Sequence, residues 1–267
     1  MIKNELFNQL KDYIVSNVIP DFSNDNSKLF EKYFDELIEW NQKFNLISFK
    51  SENDLIYRHF CDSLYSAKAI LEIFYGQGGQ GDGAIDQKVV NCPVPLTTTV
   101  ADIGTGSGMP GIPVKIVMPG IKLTLIESIA KKCYFLENVS RKLGFDIEIL
   151  NKRAEEIGQN PLYRQQYDIV LSRAVSKFSP NLEISIPLLK VGGYFIVHKT
   201  KNSAESKEEG LPSVENALRH LGAKLEKIIS YKLPEQELDY CILIFKKFKD
   251  TPAQFPRKPG TPEKKPL

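Results

Sequence analysis

Apolar residues recur every three or four positions through the first 75 residues of the chain, and then the period changes. Leu29, Phe30, Tyr33, Phe34, Leu37, Ile38, Trp40 and Phe44 trace one face of a helix, the spacing that buries an amphipathic stripe. Leu55, Ile56, Phe60, Leu64 and Ile70 do the same along a second helix predicted over 52–74. Residues 76–98, with GQGGQGDG and CPVPL, carry no period and read as a flexible insert. From Thr99 onward, strand-like runs alternate with helical ones. Strands are predicted at 99–103, 122–126, 146–150, 168–171 and 193–197, with helices at 111–117, 129–143, 154–157 and 181–189 between them. Such alternation makes a parallel sheet wound on both faces. The ending breaks the rhythm. After a helix at 214–221, two strands at 223–232 and 240–249 follow with no helix between them. They predict an antiparallel hairpin at the sheet's edge, six or seven strands in all. The chain divides into a helical cap (1–75), the insert (76–98), an α/β domain (99–249) and a proline-rich tail (250–267) with too little periodicity for regular structure.

Composition narrows the class without naming a chemistry. The 267 residues are 42% hydrophobic and 25% charged, ample material for a core. No run approaches the length of a membrane span and the N-terminus lacks a signal-peptide core, so a cytoplasmic protein with no membrane attachment is expected. Cys61, Cys92, Cys133 and Cys241 are scattered with no C-x-x-C pairing. That spacing argues against a metal site and a disulfide framework alike. The net charge is only +2, yet from Lys246 onward seven basic residues face only Asp250 and Glu263. A basic tail on a near-neutral body points to a polyanionic partner, although most charge runs are solvated surface.

The first specific chemistry lies in Val100–Gly111, VADIGTGSGMPG. A strand ends there in a loop with Gly104, Gly106, Gly108 and Gly111, where the backbone can turn sharply and approach a ligand. Residues 106–111 satisfy G-x-G-x-x-G, so a nicotinamide dehydrogenase has to be weighed. Three other features favour S-adenosylmethionine. Asp102, two residues before the first glycine, suits a cationic methionine end and would repel a pyrophosphate. Arg153, Ala154 and Glu155 follow the third strand, where an adenine can be bracketed. The closing hairpin is the arrangement of class I S-adenosylmethionine-dependent methyltransferases. Glu127, ending the second strand, can accept both ribose hydroxyls in either cofactor class. As plain surface acids, Glu127 and Glu155 would have no such role.

The acceptor is approached by elimination. Asn160-Pro161-Leu162-Tyr163 approximates an adenine-methylating element but precedes the fourth strand instead of following it. A cysteine nucleophile for pyrimidine carbon would need a better place than Cys92 in the insert or Cys133 within a helix. Ser172-Arg173-Ala174 follows the fourth strand and supplies donors and charge but no general base. Guanine N7 carries a lone pair and no proton, so its methylation needs alignment only. Arg173 and Lys199, both at strand ends, are the candidates to position base and phosphate.

Several motifs in order resemble one family. Trp40-Asn41 with Asn45-Leu46-Ile47-Ser48, then Arg58-His59-Phe60-Cys61-Asp62-Ser63-Leu64, then ADIGTGSGMPGIP and Ser172-Arg173-Ala174, are similar to the glucose-inhibited division protein B family. Pro256–Pro262 resembles the tail of its longer members. The resemblance implies a methyltransferase acting on guanine N7 of 16S rRNA in the small ribosomal subunit or an assembly intermediate, with S-adenosylmethionine as cofactor. It implies cofactor contacts at Gly104, Met109, Ala154, Glu155 and Arg173, beside Asp102, Glu127 and the loop glycines Gly106 and Gly108. It also implies that Arg58, His59, Asp62 and Ser63 shape the RNA site, although His59 and Asp62 could equally be packing contacts between helix and sheet. Lys199 and the tail's Arg257, Lys258, Lys264 and Lys265 would grip RNA. A monomer is expected. The chain departs from the family after the fifth strand, where His198-Lys199-Thr200-Lys201 replaces a Lys-Gly pair with a bulkier Thr200. Two rivals stay open: a methyltransferase with a protein or small-molecule acceptor, and a non-catalytic RNA-binding assembly factor.

Overall fold

A computed structural model describes residues 2–76, 94–175 and 177–267. The cap opens with α1 (Ile2–Asn17) and α2 (Asn24–Lys43). Ser23 caps α2 by accepting from the Asn26 amide, and Asn26 returns a bond to Ser23, which fixes the helix start. Residues 44–51 are not helical. A second helical run follows as α3 (Glu52–Asp54), a π-helical turn (Leu55–Cys61) and α4 (Asp62–Tyr75). The π turn is a rare deviation that re-aims the side chains after it. It lies where His59, Asp62, Ser63 and Ser66 all face the sheet. Most of the expected insert, residues 77–93 with Cys92, lies outside the described residues.

Among the described residues, seven strands form one sheet: β1 (Thr99–Ile103), β2 (Lys122–Ile126), β3 (Glu148–Leu150), β4 (Tyr167–Arg173), β5 (Leu189–Thr200), β6 (Ala223–Lys232) and β7 (Asp239–Lys247). Their order is β3-β2-β1-β4-β5-β7-β6. The first five pair in parallel, while β7 runs antiparallel between β5 and β6. This is the class I methyltransferase sheet with its closing hairpin. Strand order reverses between β1 and β4, and ligands of such sheets bind outside the strand ends at that switch.

Two apolar layers cover the sheet. On one face the cap packs with α5 (Gly111–Val117) and α6 (Ala130–Leu143) around Phe30, Tyr33, Phe60 and Phe135. On the other, α7 (Ala154–Gln159), α8 (Phe178–Ser185), α9 (Lys201–Glu205) and α10 (Glu215–Leu221) cover Phe195 and Phe245. The tail was expected to lack regular structure. Instead it packs on this second layer, with Phe255 buried and a helical turn, α11 (Thr261–Lys264). Arg164 reaches the carbonyls of Thr251 and Phe255 at 2.8 and 2.5 Å, and Gln159 that of Pro256 at 2.6 Å. Proline removes backbone donors but not acceptors, so side-chain donors from the domain hold the segment.

Candidate cofactor cleft and its flanks

The glycine loop turns on side-chain acceptors placed beneath it. Asp102 is fully buried, and its Oδ2 accepts from Thr105 Oγ1 at 2.5 Å and the Gly111 amide at 2.9 Å. Its Oδ1 is buried with no partner. Burial pushes the Asp102 carboxyl up to about 7, although the bonds from Thr105 and Gly111 pull the other way. Glu127 follows β2, its Oε2 accepting from the Gly106 amide at 3.0 Å and its Oε1 from the Ile129 amide at 2.8 Å. Gly104 has φ +60°, and a Cβ there would meet the Val175 side chain at 2.8 Å. Ala174 is also left-handed, at φ +54°. For a residue with a side chain this is strain of order 1 kcal/mol or more, held by its surroundings.

A cleft of about 430 Å³ opens at these strand ends, lined in part by Gly104, Glu127, Lys132, Ala154, Glu155 and Ala174. Of the expected cofactor residues, Gly104, Glu127, Ala154 and Glu155 line it. Gly106 and Asp102 support the lining from behind. Gly108 and Met109 do not line it. Met109 is buried in the cap-side core, and Gly108 lies where a Cβ would strike Ile112 and Tyr33. Their place is close packing between loop and cap.

The tail supplies a wall of this cleft, which pattern reasoning missed. Pro262 and Glu263 line it, and the Gly260 amide donates to Glu155 Oε1 at 3.0 Å. Burial opposes ionisation of Glu155, but that amide and Arg153 outweigh it and hold the carboxyl below its usual range. Arg257 was expected to meet RNA. It is instead committed to Glu183, a fully buried carboxylate on α8, through its amide and Nε at 2.8 Å and Nη2 at 2.5 Å. A buried carboxylate without that partner would be strongly disfavoured. Lys258, Lys264 and Lys265 stay exposed.

Arg173 and Lys199 do not come together. Arg173 registers with His198, so strand alternation sends Lys199 to the opposite face. There its ammonium sits 5.0 Å from the Phe178 ring, and burial lowers its pKa. Arg173 turns toward the cap: Nη2 donates to His59 Nδ1 at 2.5 Å, and Nη1 reaches Ser63 Oγ at 3.2 Å and Asp62 Oδ2 at 3.3 Å. His59 was also expected on the RNA surface, but it is buried. Burial and the neighbouring Arg173 push its pKa down to about 3, so the neutral ring accepts from Arg173 and donates to the Ser48 carbonyl at 3.1 Å. Burial opposes the charge on Asp62, yet His198 and Arg173 hold its carboxyl well below the usual range. Tyr231 donates to Asp62, and Ser66 bonds His198 at 2.6 Å. His198, Tyr231 and Ser66 were not anticipated. The one available signal was a polar residue closing an apolar run, His198 after the Phe195–Val197 run of β5, and another, Ser66, within the apolar face of α4. Arg58 stays partly exposed beside Asp54 at 3.4 Å. Thr200 caps α9 by accepting from the Ser203 amide, which accounts for the departure from Lys-Gly.

This cap-to-sheet arrangement is also what the sequence comparison covers. The profile of the family described as rRNA small subunit methyltransferase G (GidB) matches residues 26–77 and 88–237. The chain belongs to the GidB family. Ribosomal RNA small subunit methyltransferase G of Listeria monocytogenes is 36% identical over 248 residues, 92% of this chain and 93% of that protein. The Alkaliphilus oremlandii protein of the same name is 40% identical over 238 residues, 88% of each chain. Among solved structures, a geranyl diphosphate methyltransferase in complex with SAM aligns at TM-score 0.45 and 11% identity, over 58% of this chain and 80% of that one.

Proposed function

We propose that this chain transfers a methyl group from S-adenosylmethionine to N7 of a guanine in 16S rRNA. The observation that carries the reading is GidB family membership spanning both cap and sheet. The residues present fit the cofactor. The orphaned Asp102 Oδ1 suits a cationic methionine end. Glu127, with one backbone donor on each oxygen, keeps lone pairs for ribose hydroxyls. Gly104, Ala154 and Glu155 leave room for the flat adenine ring. When bound, S-adenosylmethionine supplies an electrophilic methyl group on a sulfonium.

The chain's own task is then alignment. Among the described residues, the cleft lining holds no His, Cys or Tyr; of its three carboxylates, Glu127 and Glu155 are engaged by backbone amides, and Glu263 is an exposed residue of the tail wall. An acceptor that needs no deprotonation suits such a lining, and guanine N7 is one. Arg173 acts as a positioning residue: by holding His59 and Asp62 it fixes the cap beside the β4 end. Lys132 and Lys152 at the cleft, with Lys258, Lys264 and Lys265 on the tail, supply charge for phosphate, so binding should weaken as salt rises. The reading includes a cytoplasmic monomer acting on the small subunit or its assembly intermediate.

The test is a map of N7-methylguanine in 16S rRNA from cells with and without the protein. One methylated guanine should disappear with the protein, and an unchanged map sinks the acceptor assignment. Failure to bind S-adenosylmethionine in calorimetry would revive a non-catalytic RNA-binding role.

A further inference from the structure

The segment joining α2 to α3 folds into a polar hollow distinct from the cofactor cleft. Asn41, Asn45, Leu46, Ile47, Ser48 and Phe49 enclose about 430 Å³. The backbone is pinned from within. Asn41 Oδ1 accepts from the amides of Leu46 and Ile47 at 2.9 and 3.1 Å, and His59 holds the Ser48 carbonyl. The side chains of Asn45 and Ser48 remain exposed. Beside the hollow, Trp40 packs against Phe44 and Tyr134 with ring centroids 5.7 Å apart in each pair. Tyr134 is 63% exposed. Lys131 stands 5.2 Å above the Phe44 ring and Lys43 5.1 Å above that of Trp40. Lys43 also pairs with Glu39 at 2.7 Å. Among the described residues, Lys131 has no carboxylate within ion-pair distance.

An exposed ring, a cation with no carboxylate partner among the described residues, and an exposed amide around a hydrogen-bonded hollow are the groups that hold an unpaired nucleotide. The base stacks on the ring, the phosphate meets the ammonium, and a base edge meets the amide. The position also suits this use. Lys132, next after Lys131, lines the cofactor cleft, and His59 joins Ser48 to Arg173, whose neighbour Ala174 lines the same cleft. We propose that this hollow and its aromatic rim seat a nucleotide flanking the target base in single-stranded RNA. Tyr134 stacks, Lys131 meets phosphate, and Asn45 and Ser48 read the base edge. The inference rests on the RNA acceptor proposed above.

The test is steady-state methyl transfer to small ribosomal subunits, with S-adenosylmethionine binding followed by calorimetry. Tyr134→Ala and Lys131→Ala should each raise KM for the subunit by about tenfold, leave kcat within about twofold, and leave cofactor affinity unchanged. Tyr134→Phe keeps the ring and should recover most of that affinity. Leu162→Ala, an exposed apolar residue on the opposite layer, is the control. If the wild type is active and KM for Tyr134→Ala stays within twofold, the nucleotide seat is wrong while the methyltransferase reading stands. If the wild type transfers no methyl group to the subunit, that reading fails and the seat fails with it.

Discussion

Two arginines dock the flanking segments of this chain onto its sheet, and they do so in opposite ways. Arg173 belongs to the sheet and is enclosed by cap side chains, His59, Asp62 and Ser63. Arg257 belongs to the tail and reaches inward to Glu183, a carboxylate that the sheet-side helix buries completely. The first is an interlock in which Asp62 is shared by Arg173, Tyr231 and His198. The second is a clamp, supported by Arg164 and Gln159 holding tail carbonyls. Its outer surface carries exposed lysines, while Pro262 and Glu263 wall the cleft. A buried interlock fixes geometry, whereas a clamp with one wet side can link charge on the surface to a ligand inside.

The sharpest way to break the comparison is to remove each acid or its partner. Asp62→Ala leaves the Tyr231 hydroxyl without its acceptor and the buried Arg173 guanidinium without its carboxylate partner, and should cost about 3–5 kcal/mol in urea denaturation. A loss below about 1 kcal/mol would show that apolar packing alone seats the cap. Arg257→Ala strands Glu183, but Arg257 is itself 26% exposed, so about 2 kcal/mol is expected. Its distinguishing effect is on the cleft. With Gly260 no longer held against Glu155, affinity for S-adenosylmethionine should fall about fivefold in calorimetry. An unchanged affinity would mean that the wall is passive.

The contrast also explains what the sequence made legible. The cofactor half announces itself: the apolar runs of β1 and β2, the glycines, and the helix-free step between β6 and β7 are local patterns with local causes. The faces of β5 were harder to read. Its apolar core, 193–197, is shorter than the strand, Leu189–Thr200, and an isolated Lys199 gives no register. Arg173 and Lys199 were therefore grouped, though strand alternation separates them. The tail failed for a different reason. Hydropathy treats Arg257 and Glu183 as solvent-facing, and only three-dimensional pairing reveals that a half-buried Arg257 reaches a fully buried Glu183. His59 was readable in both ways, and the Ser48–His59–Arg173 chain places it in packing.

Asp102 lies on β1 beneath the glycine loop, within electrostatic reach of Arg173 but outside both docking contacts, and its effect is read through pH. Its carboxyl is pushed up to about 7 by burial, so it becomes protonated as pH falls through that value. If the charged form receives the methionine ammonium, cofactor affinity should drop roughly tenfold from pH 8 to pH 6. Asp102→Asn should bind weakly with a flat profile. A flat wild-type profile would remove Asp102 from direct cofactor binding.

The smallest effect is expected on the wet side of the clamp. Lys258, Lys264 and Lys265 are exposed, so replacing all three with Ala should leave stability and cofactor affinity unchanged within about 0.5 kcal/mol. What should change is the salt dependence of binding to the small subunit. Each lysine that meets a phosphate adds roughly one to the steepness of log affinity against log salt, so its replacement removes that much. A slope unchanged in the triple variant would confine the tail to walling the cofactor cleft. A slope reduced by two or three, with Arg257→Ala reproducing the loss, would show that the clamp holds these charges where RNA meets them.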